Sequence, residues 1–238
     1  MEVLLDFQIW TSLISLTALE IILGVDNVIF IALVVAHLPD AERQKARVIG
    51  LMLALIMRIG LLFAVVWIIS LKEPWLYILG LEFSGKDLMM LGGGLFLLAK
   101  STIEMHSEVA GEEEKSAPKD FKGAFFKTIL QIIFIDFIFS FDSVITAVGI
   151  SKVVGVIITA MVIAMFVMLF MSKWISDFIT EHQSLKILAL SFIMMIGVLL
   201  VAEGLGAHMP KGYIYFAMAF SVGIEMLNMK IRKRKTNS

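Results

Sequence analysis

The sequence predicts an all-α membrane protein of seven transmembrane helices, and three observations lead there. Hydrophobic residues make up 59% of the 238-residue chain and charged residues only 17%, against roughly 25% charged in a soluble domain. The apolar residues fall into seven long runs. Lysine and arginine gather in alternate connections between those runs. So much apolar surface does not fit inside one aqueous core, and no soluble second domain fits in what remains. Four prolines and the lack of long Ser/Gly tracts argue against disordered linkers. The absence of cysteine excludes disulfides, thiolate metal sites and thiol catalysis.

A helix needs roughly 20 mostly apolar residues to cross the hydrocarbon layer. The runs read as spans, with ends uncertain by a few residues, are Ile9–Ala36, Arg47–Ser70, Asp87–Lys100, Phe125–Ile150, Val153–Met171, Leu185–Leu205 and Tyr213–Asn228. The first has no basic segment before it, is too long for a signal-peptide core and lacks a small-residue cleavage site, so it is expected to be retained. The third is the shortest. Trp75–Leu81 ahead of it is also apolar and reads as an interfacial or re-entrant piece before Gly85.

Orientation follows from the basic residues. Arg43, Lys45 and Arg47 follow the first span; Lys115, Lys119, Lys122 and Lys127 lie between the third and fourth; Lys173 and Lys186 follow the fifth; Lys230, Arg232, Lys233, Arg234 and Lys235 end the chain. The alternate connections hold only Lys72, Lys86, Lys152 and Lys211. The positive-inside rule then puts the N-terminus outside and the C-terminus in the cytoplasm. The connection 101–122 carries Glu104, Glu108, Glu112–Glu114 and Pro118. It is expected to be a solvated cytoplasmic loop joining two halves.

Those halves resemble each other. Glu20–Asn27 reads EIILGVDN and Asp136–Ser143 reads DFIFSFDS, so acid, five residues, acid and a small polar side chain recur 116 positions later. A thinner echo joins Gly94–Lys100 (GLFLLAK) to Gly197–Glu203 (GVLLVAE). Three spans per half is an odd number, so the second half enters the membrane from the opposite side. The chain is read as one transmembrane domain: repeat one at about 9–100, repeat two at about 123–205, and an extra helix at about 213–229. Inverted repeats of this kind hold the substrate site of many secondary transporters at the midplane.

A carboxylate near the bilayer centre costs several kcal/mol, so four of them require a reason. An intramembrane acid can serve structure alone, paired with arginine or protonated across a helix interface, but two pairs of matching spacing favour a shared site. On a regular helix, residues six apart are separated by about 240° of rotation. Glu20 and Asp26 would therefore converge only if the helix kinks or unwinds between them, with Gly24 and its counterpart Ser140 at the break. The alternative is that Gly24 allows close helix packing. An all-oxygen group of Glu20, Asp26, Asn27, Asp136, Asp142 and Ser143 suits a hard divalent cation, Mn, Mg or Ca. Zn and Cu fit less well, because His37, His106, His182 and His208 fall at span ends or in loops. Arg58 sits mid-span, too deep to reach either surface, and needs an acidic partner among the four central acids. Four acids carry a formal charge of -4, which a divalent ion and one arginine reduce to -1; Arg58 is expected to hold the site together when metal is absent.

The other polar residues read as framework. Lys100, Glu203, Glu225 and Asn228 fall at span ends, Gly92–Gly94 and the methionines suit close packing, and the terminal basic run suits anionic lipid. Nucleic-acid binding is not expected.

Glu20–Phe30 (EIILGVDNVIF), Asp136–Ala147 (DFIFSFDSVITA), the Gly-rich stretch running to Lys100 with Glu104 and His106 after it, and Glu203–Ser221 (EGLGAHMPKGYIYFAMAFS) together resemble the TerC family of bacterial integral membrane proteins. The likeness covers nearly the whole chain and is greatest for the branch made of the membrane domain alone, without cystathionine-synthase-type nucleotide-binding domains. The family is named for tellurium resistance. The resemblance implies membership of a wider transporter superfamily that includes the LysE exporters, some of whose relatives are associated with manganese efflux. It also implies that the family's acids match Glu20, Asp26, Asp136 and Asp142, with Asn27 and Ser143 beside them.

Sequence and resemblance together lead to a secondary transporter that exports a divalent cation, manganese foremost. No Walker motif is present, and crowded carboxylates suit exchange of protons for metal. No cofactor is expected; Mn2+ is the transported ion. The expected partners are that ion and the lipid bilayer, with a homo-oligomer or a partner in the secretion machinery left open. The rival reading is a non-transporting scaffold that binds metal for secreted proteins or for tellurite resistance. An enzyme is not expected, since no nucleophile, base and orienter assemble from the intramembrane residues.

Overall fold

The computed structural model describes residues 7–64, 74–78, 81–110, 121–207 and 210–236. Its helices are α1 (Phe7–Ala36), α2 (Asp40–Phe63), α3 (Gly85–Val109), α4 (Phe121–Ile150), α5 (Val154–Glu181), α6 (Gln183–Gly204) and α7 (Lys211–Thr236). All seven contain a stretch long and apolar enough to cross a membrane. The protein is an all-α membrane protein; among the described residues, one short antiparallel hairpin, β1 (Pro74–Ile78) and β2 (Leu81–Ser84), occupies the stretch before α3.

Local chemistry sets the element ends. Pro39, with φ fixed at -55°, precedes α2, and Asp40 and Glu42 lie in its first turn, where carboxylates favour the positive end of the helix dipole. Arg43 then reaches back, donating from Nε to the Leu38 carbonyl (2.7 Å) and from Nη2 to the Ala36 carbonyl (2.8 Å), so it occupies acceptors left open at the end of α1. At the end of α6 the chain turns through Gly206 at φ +87°. The Ala207 N–H meets the Ala202 carbonyl (2.9 Å) and the Gly206 N–H meets the Glu203 carbonyl (3.0 Å), a Schellman closure that needs a residue free of Cβ strain at the left-handed position.

Several expected boundaries are corrected. The acidic stretch after Lys100 was expected to be loop, yet Ser101–Val109 extends α3. Two ion pairs account for this: Lys100 pairs with Glu104 one turn on, and Lys186 Nζ lies 2.6 Å from Glu108. The charged residues follow helical spacing and satisfy one another beyond the apolar layer. Residues 111–120, with Glu112–Glu114, Pro118 and Lys119, lie outside the described residues, as do 65–73, the end of the second expected span. Helices α5 and α7 run past Met171 and Asn228, to Glu181 and Thr236.

Packing divides the chain into two compact units, Met1–Gly85 with Ser116–Asp177, and Lys86–Lys115 with Phe178–Ser238. The first contains α1, α2, α4 and most of α5. Its core is built from Val28, Ile31 and Val35 of α1, Leu51 and Ala54 of α2, Ile132 of α4, and Met165 and Met168 of α5. Helices α2 and α4 run parallel here, since Gly50 packs on Ile132 and the later Arg58 meets the later Asp136. The second unit contains α3, α6 and α7. Gly94 and Gly197 bring the backbones of α3 and α6 into contact: a Cβ on Gly94 would stand 2.7 Å from the Gly197 carbonyl, and one on Gly197 3.0 Å from the Gly94 carbonyl. Large apolar side chains such as Phe170, Trp174, Phe216 and Phe220 are exposed on the helix surfaces, as lipid-facing positions require.

Candidate ion-binding site

The two octets lie within unbroken helices. Both α1 and α4 run for 30 residues, about 45 Å, through Gly24 and Ser140 without a gap in helical structure. The expected unwinding at these positions, with its released carbonyls, is thus corrected. Gly24 instead makes room for a neighbour, since a Cβ there would run into the Met168 sulfur. With α1 continuous, Asp26 projects about 120° around the helix from Glu20.

Arg58 brings the first and fourth helices together. Its Nη1 donates to Glu20 Oε2 at 2.8 Å, its Nε donates to Asp136 Oδ2 at 3.0 Å, and its Nη2 also donates to Asp136 Oδ1. Arg58 and Asp136 thus form the two-pronged pair that a planar guanidinium suits. All three side chains are at most 4% exposed. Their depths match along the helices. Glu20 stands about 24 Å from the C-terminal end of α1, Arg58 about 27 Å from the start of α2, and Asp136 about 22 Å from the start of α4.

Asp136 is held on every side. Asn27 Nδ2 donates to its Oδ1 at 3.0 Å and Ser140 Oγ to its Oδ2 at 3.0 Å, so each oxygen accepts two hydrogen bonds. That is the full acceptor capacity of a carboxylate. Glu20 differs: Oε2 takes the Arg58 bond, whereas Oε1 is buried with no hydrogen-bond partner. Asn27 Oδ1 and Thr17 Oγ1, also on α1, share that condition. A buried oxygen without a partner forfeits about 1–3 kcal/mol.

Of the residues singled out in sequence, Glu20, Asn27, Arg58, Asp136 and Ser143 come together. Ser143 donates to the Ser140 carbonyl at 3.2 Å and stands beside the Glu20 carboxylate. Asp26 is buried on another face of α1. Asp142 lies on α4 with its side chain outside the described residues. Among the described residues no three Asp, Glu or His side chains form a ready metal cluster; Arg58 stands between the two acids that face each other. His37 and His182 each place Nδ1 on the carbonyl four residues back, Leu33 at 3.0 Å and Phe178 at 3.1 Å, and His208 lies outside the described residues. Sequence reasoning missed Ser140 as a partner of Asp136 and Thr17 altogether. Spacing was the available signal. Ser140 is one turn from Asp136, and 17, 20, 24 and 27 follow one stripe of α1.

Fold and site define a multi-pass α-helical membrane protein with a buried, hydrogen-bonded charge cluster across three spans. The family model described as the integral membrane protein TerC family matches residues 5–238, and the chain belongs to that family. It is similar to a UPF0053 protein of Haemophilus influenzae, 46% identical over 98% of each chain. The UPF0053 inner membrane protein YgdQ of Escherichia coli K12 is 47% identical over 97% of this chain and 96% of its own. The UPF0053 inner membrane protein YoaE of the same strain is 46% identical over 98% of this chain but only 45% of its own length. No solved structure matches the chain.

Proposed function

We propose that the protein is a secondary transporter of the bacterial inner membrane that exports a hard divalent cation, manganese foremost, by exchange with protons. One observation carries this reading: a charge cluster of Glu20, Asp136 and Arg58 is sealed at matched depth in three spans, with Glu20 Oε1 and Asn27 Oδ1 left as acceptors without donors. Acceptor oxygens aimed at nothing in an apolar interior suit a cation that visits and leaves. Arg58 is the resident counter-charge of the cation-free state. As metal arrives at Glu20 and Asn27 it competes with the guanidinium for the carboxylates, and Asp26 and Asp142 are further carboxylates for the ion. Protons exchange on the same acids, so the route needs no ATP.

The cytoplasmic C-terminus and the inverted repeat belong to this reading. The repeat is supported by the mutual approach of Gly94 and Gly197, which are equivalent positions of the two halves. Their neighbours are equivalent too: a Cβ on Gly94 would meet Val201 at 2.8 Å and one on Gly197 would meet Leu98 at 3.0 Å. Such reciprocity is what a two-fold relation produces. The inner-membrane location is supported by the printed names of YgdQ and YoaE.

The deciding experiment is ion flux with purified protein in sealed proteoliposomes under an imposed pH gradient, with Mn2+, Mg2+, Ca2+ and Zn2+ offered in turn. Wild type is expected to move Mn2+ in a pH-dependent manner, and Glu20→Gln to lose at least about tenfold in rate, equivalent to one charged contact. Flux of none of these ions by the wild type would refute the reading. A wild-type protein that binds Mn2+ but moves none would favour a metal-holding scaffold.

A further inference from the structure

Thr17 is the residue that the charge cluster leaves unexplained. A threonine inside a helix ordinarily returns its hydroxyl to the carbonyl one turn back, and Thr11, Thr102 and Thr159 do so, meeting the Phe7, Leu98 and Gly155 carbonyls at 3.1, 2.7 and 2.7 Å. Thr17 does not. Its Oγ1 is sealed from solvent and has no partner. A side chain that gives up a local bond to leave its oxygen bare in the interior marks a place where something else binds.

The spacing says what binds. Thr17 and Glu20 are three residues apart, hence neighbours on one face, and the unpartnered Glu20 Oε1 lies one turn from the unpartnered Thr17 Oγ1. The Glu20 carboxylate oxygen only accepts and the Thr17 hydroxyl oxygen has lone pairs to offer beside it, so a cation is a species that draws on both at once. Asn27 Oδ1 continues the stripe but stands about 10 Å farther along the axis, beyond any single coordination sphere. Between the two lies the Arg58 guanidinium, bonded to Glu20 on one side and Asp136 on the other.

We infer that α1 carries two successive cation stations: an outer one formed by Thr17 Oγ1 and Glu20 Oε1, and an inner one at Asn27 Oδ1, separated by Arg58. This rests on the transport reading above and extends it. Thr17 is a ligand of the divalent cation on the side of Glu20 toward the N-terminal end of α1, the end that the basic residues place outside. An outgoing ion passes from the Asn27 oxygen to the Glu20 carboxylate and sheds its last protein oxygen at Thr17.

The test compares Thr17→Val, which keeps the shape and removes the hydroxyl, with Thr17→Ser, which keeps the hydroxyl. Full-length protein in proteoliposomes is assayed for Mn2+ flux, and in detergent for Mn2+ binding by electron paramagnetic resonance and for thermal midpoint. Thr17→Val is expected to raise KM for Mn2+ about tenfold, one net polar contact, while Thr17→Ser stays within about twofold of wild type. The midpoint of Thr17→Val should equal or exceed that of wild type, because it removes a buried oxygen that bonds to nothing. Wild-type KM in Thr17→Val would overturn the inference while leaving transport standing. A midpoint that falls together with flux in Thr17→Val would overturn it in favour of a packing role. If no protein moves Mn2+ but Thr17→Val weakens Mn2+ binding about tenfold, transport falls and the outer station stands; a wild type that binds no Mn2+ overturns both.

Discussion

Replacing Arg58 with glutamine tests the physical core of the site independently of transport. The side chain donates three hydrogen bonds, one to Glu20 and two to Asp136, and all three residues are at most 4% exposed. Glutamine keeps some polarity but carries no charge and does not span both acids, so two carboxylates are left in a space with no solvent to receive them. Removing one partner of a buried ion pair costs about 3–5 kcal/mol. For a chain of this size each kcal/mol moves the thermal midpoint by roughly 2–4 °C, so Arg58→Gln should lower it by roughly 6–20 °C in detergent. The diagnostic variant is Asp136→Asn combined with Arg58→Gln, which removes one of the two stranded charges along with their shared partner. It should recover at least about half of the lost midpoint, as an ion pair replaced on both sides is far less damaging than one broken on one side. Thermal unfolding followed by monodisperse elution measures both. An Arg58→Gln midpoint within about 2 °C of wild type, or a double variant no better than the single, would refute the view that Arg58 neutralises this cluster.

Two further outcomes follow from geometry. Gly94→Ala places a methyl group against the Gly197 carbonyl and the Val201 N–H, both backbone and unable to swing away, so it should cost about 1–3 kcal/mol by overpacking. Gly92→Ala, two residues earlier with nothing within 4 Å, should be neutral or stabilising by about 0.4–1 kcal/mol, and the pair of melting curves separates close approach from helix propensity. Ser140→Ala removes one of four bonds to Asp136 and should cost about 1.5–3 kcal/mol, the range for a bond to a charged group; a melting midpoint unchanged from wild type would contradict that assignment.

Much of this architecture can be read from residue order alone, because bilayer thickness and charge placement leave few choices. The seven spans follow from apolar run length, and the need of Arg58 for an acid follows from its depth. Which acids it would choose was not legible. That depends on α2 and α4 running parallel with Gly50 against Ile132, a contact 82 residues apart in the sequence. The broken-helix expectation failed for a related reason. It assumed that carboxylates six apart must meet each other, whereas the long side chain of Arg58 reaches from one helix to two others, so α1 can stay intact. The acidic run after Lys100 misled because helix and solvated loop share a composition there, and only the partners of Glu104 and Glu108 distinguish them. Thr17 shares the stripe of Glu20, Gly24 and Asn27, but only the comparison of its bare hydroxyl with the bonded hydroxyls of Thr11, Thr102 and Thr159 sets it apart.

The two octets of matching acid spacing differ in the partners of their leading acids. Asp136 is saturated on both oxygens and fixed by residues from three helices, whereas its sequence counterpart Glu20 keeps one oxygen bare. On the transport reading proposed above, one acid is ballast that anchors the arginine and the other keeps a lone pair to offer the ion. On that reading, tuning of ion preference by sequence drift should concentrate around the bare oxygen and leave the anchored acid nearly immobile.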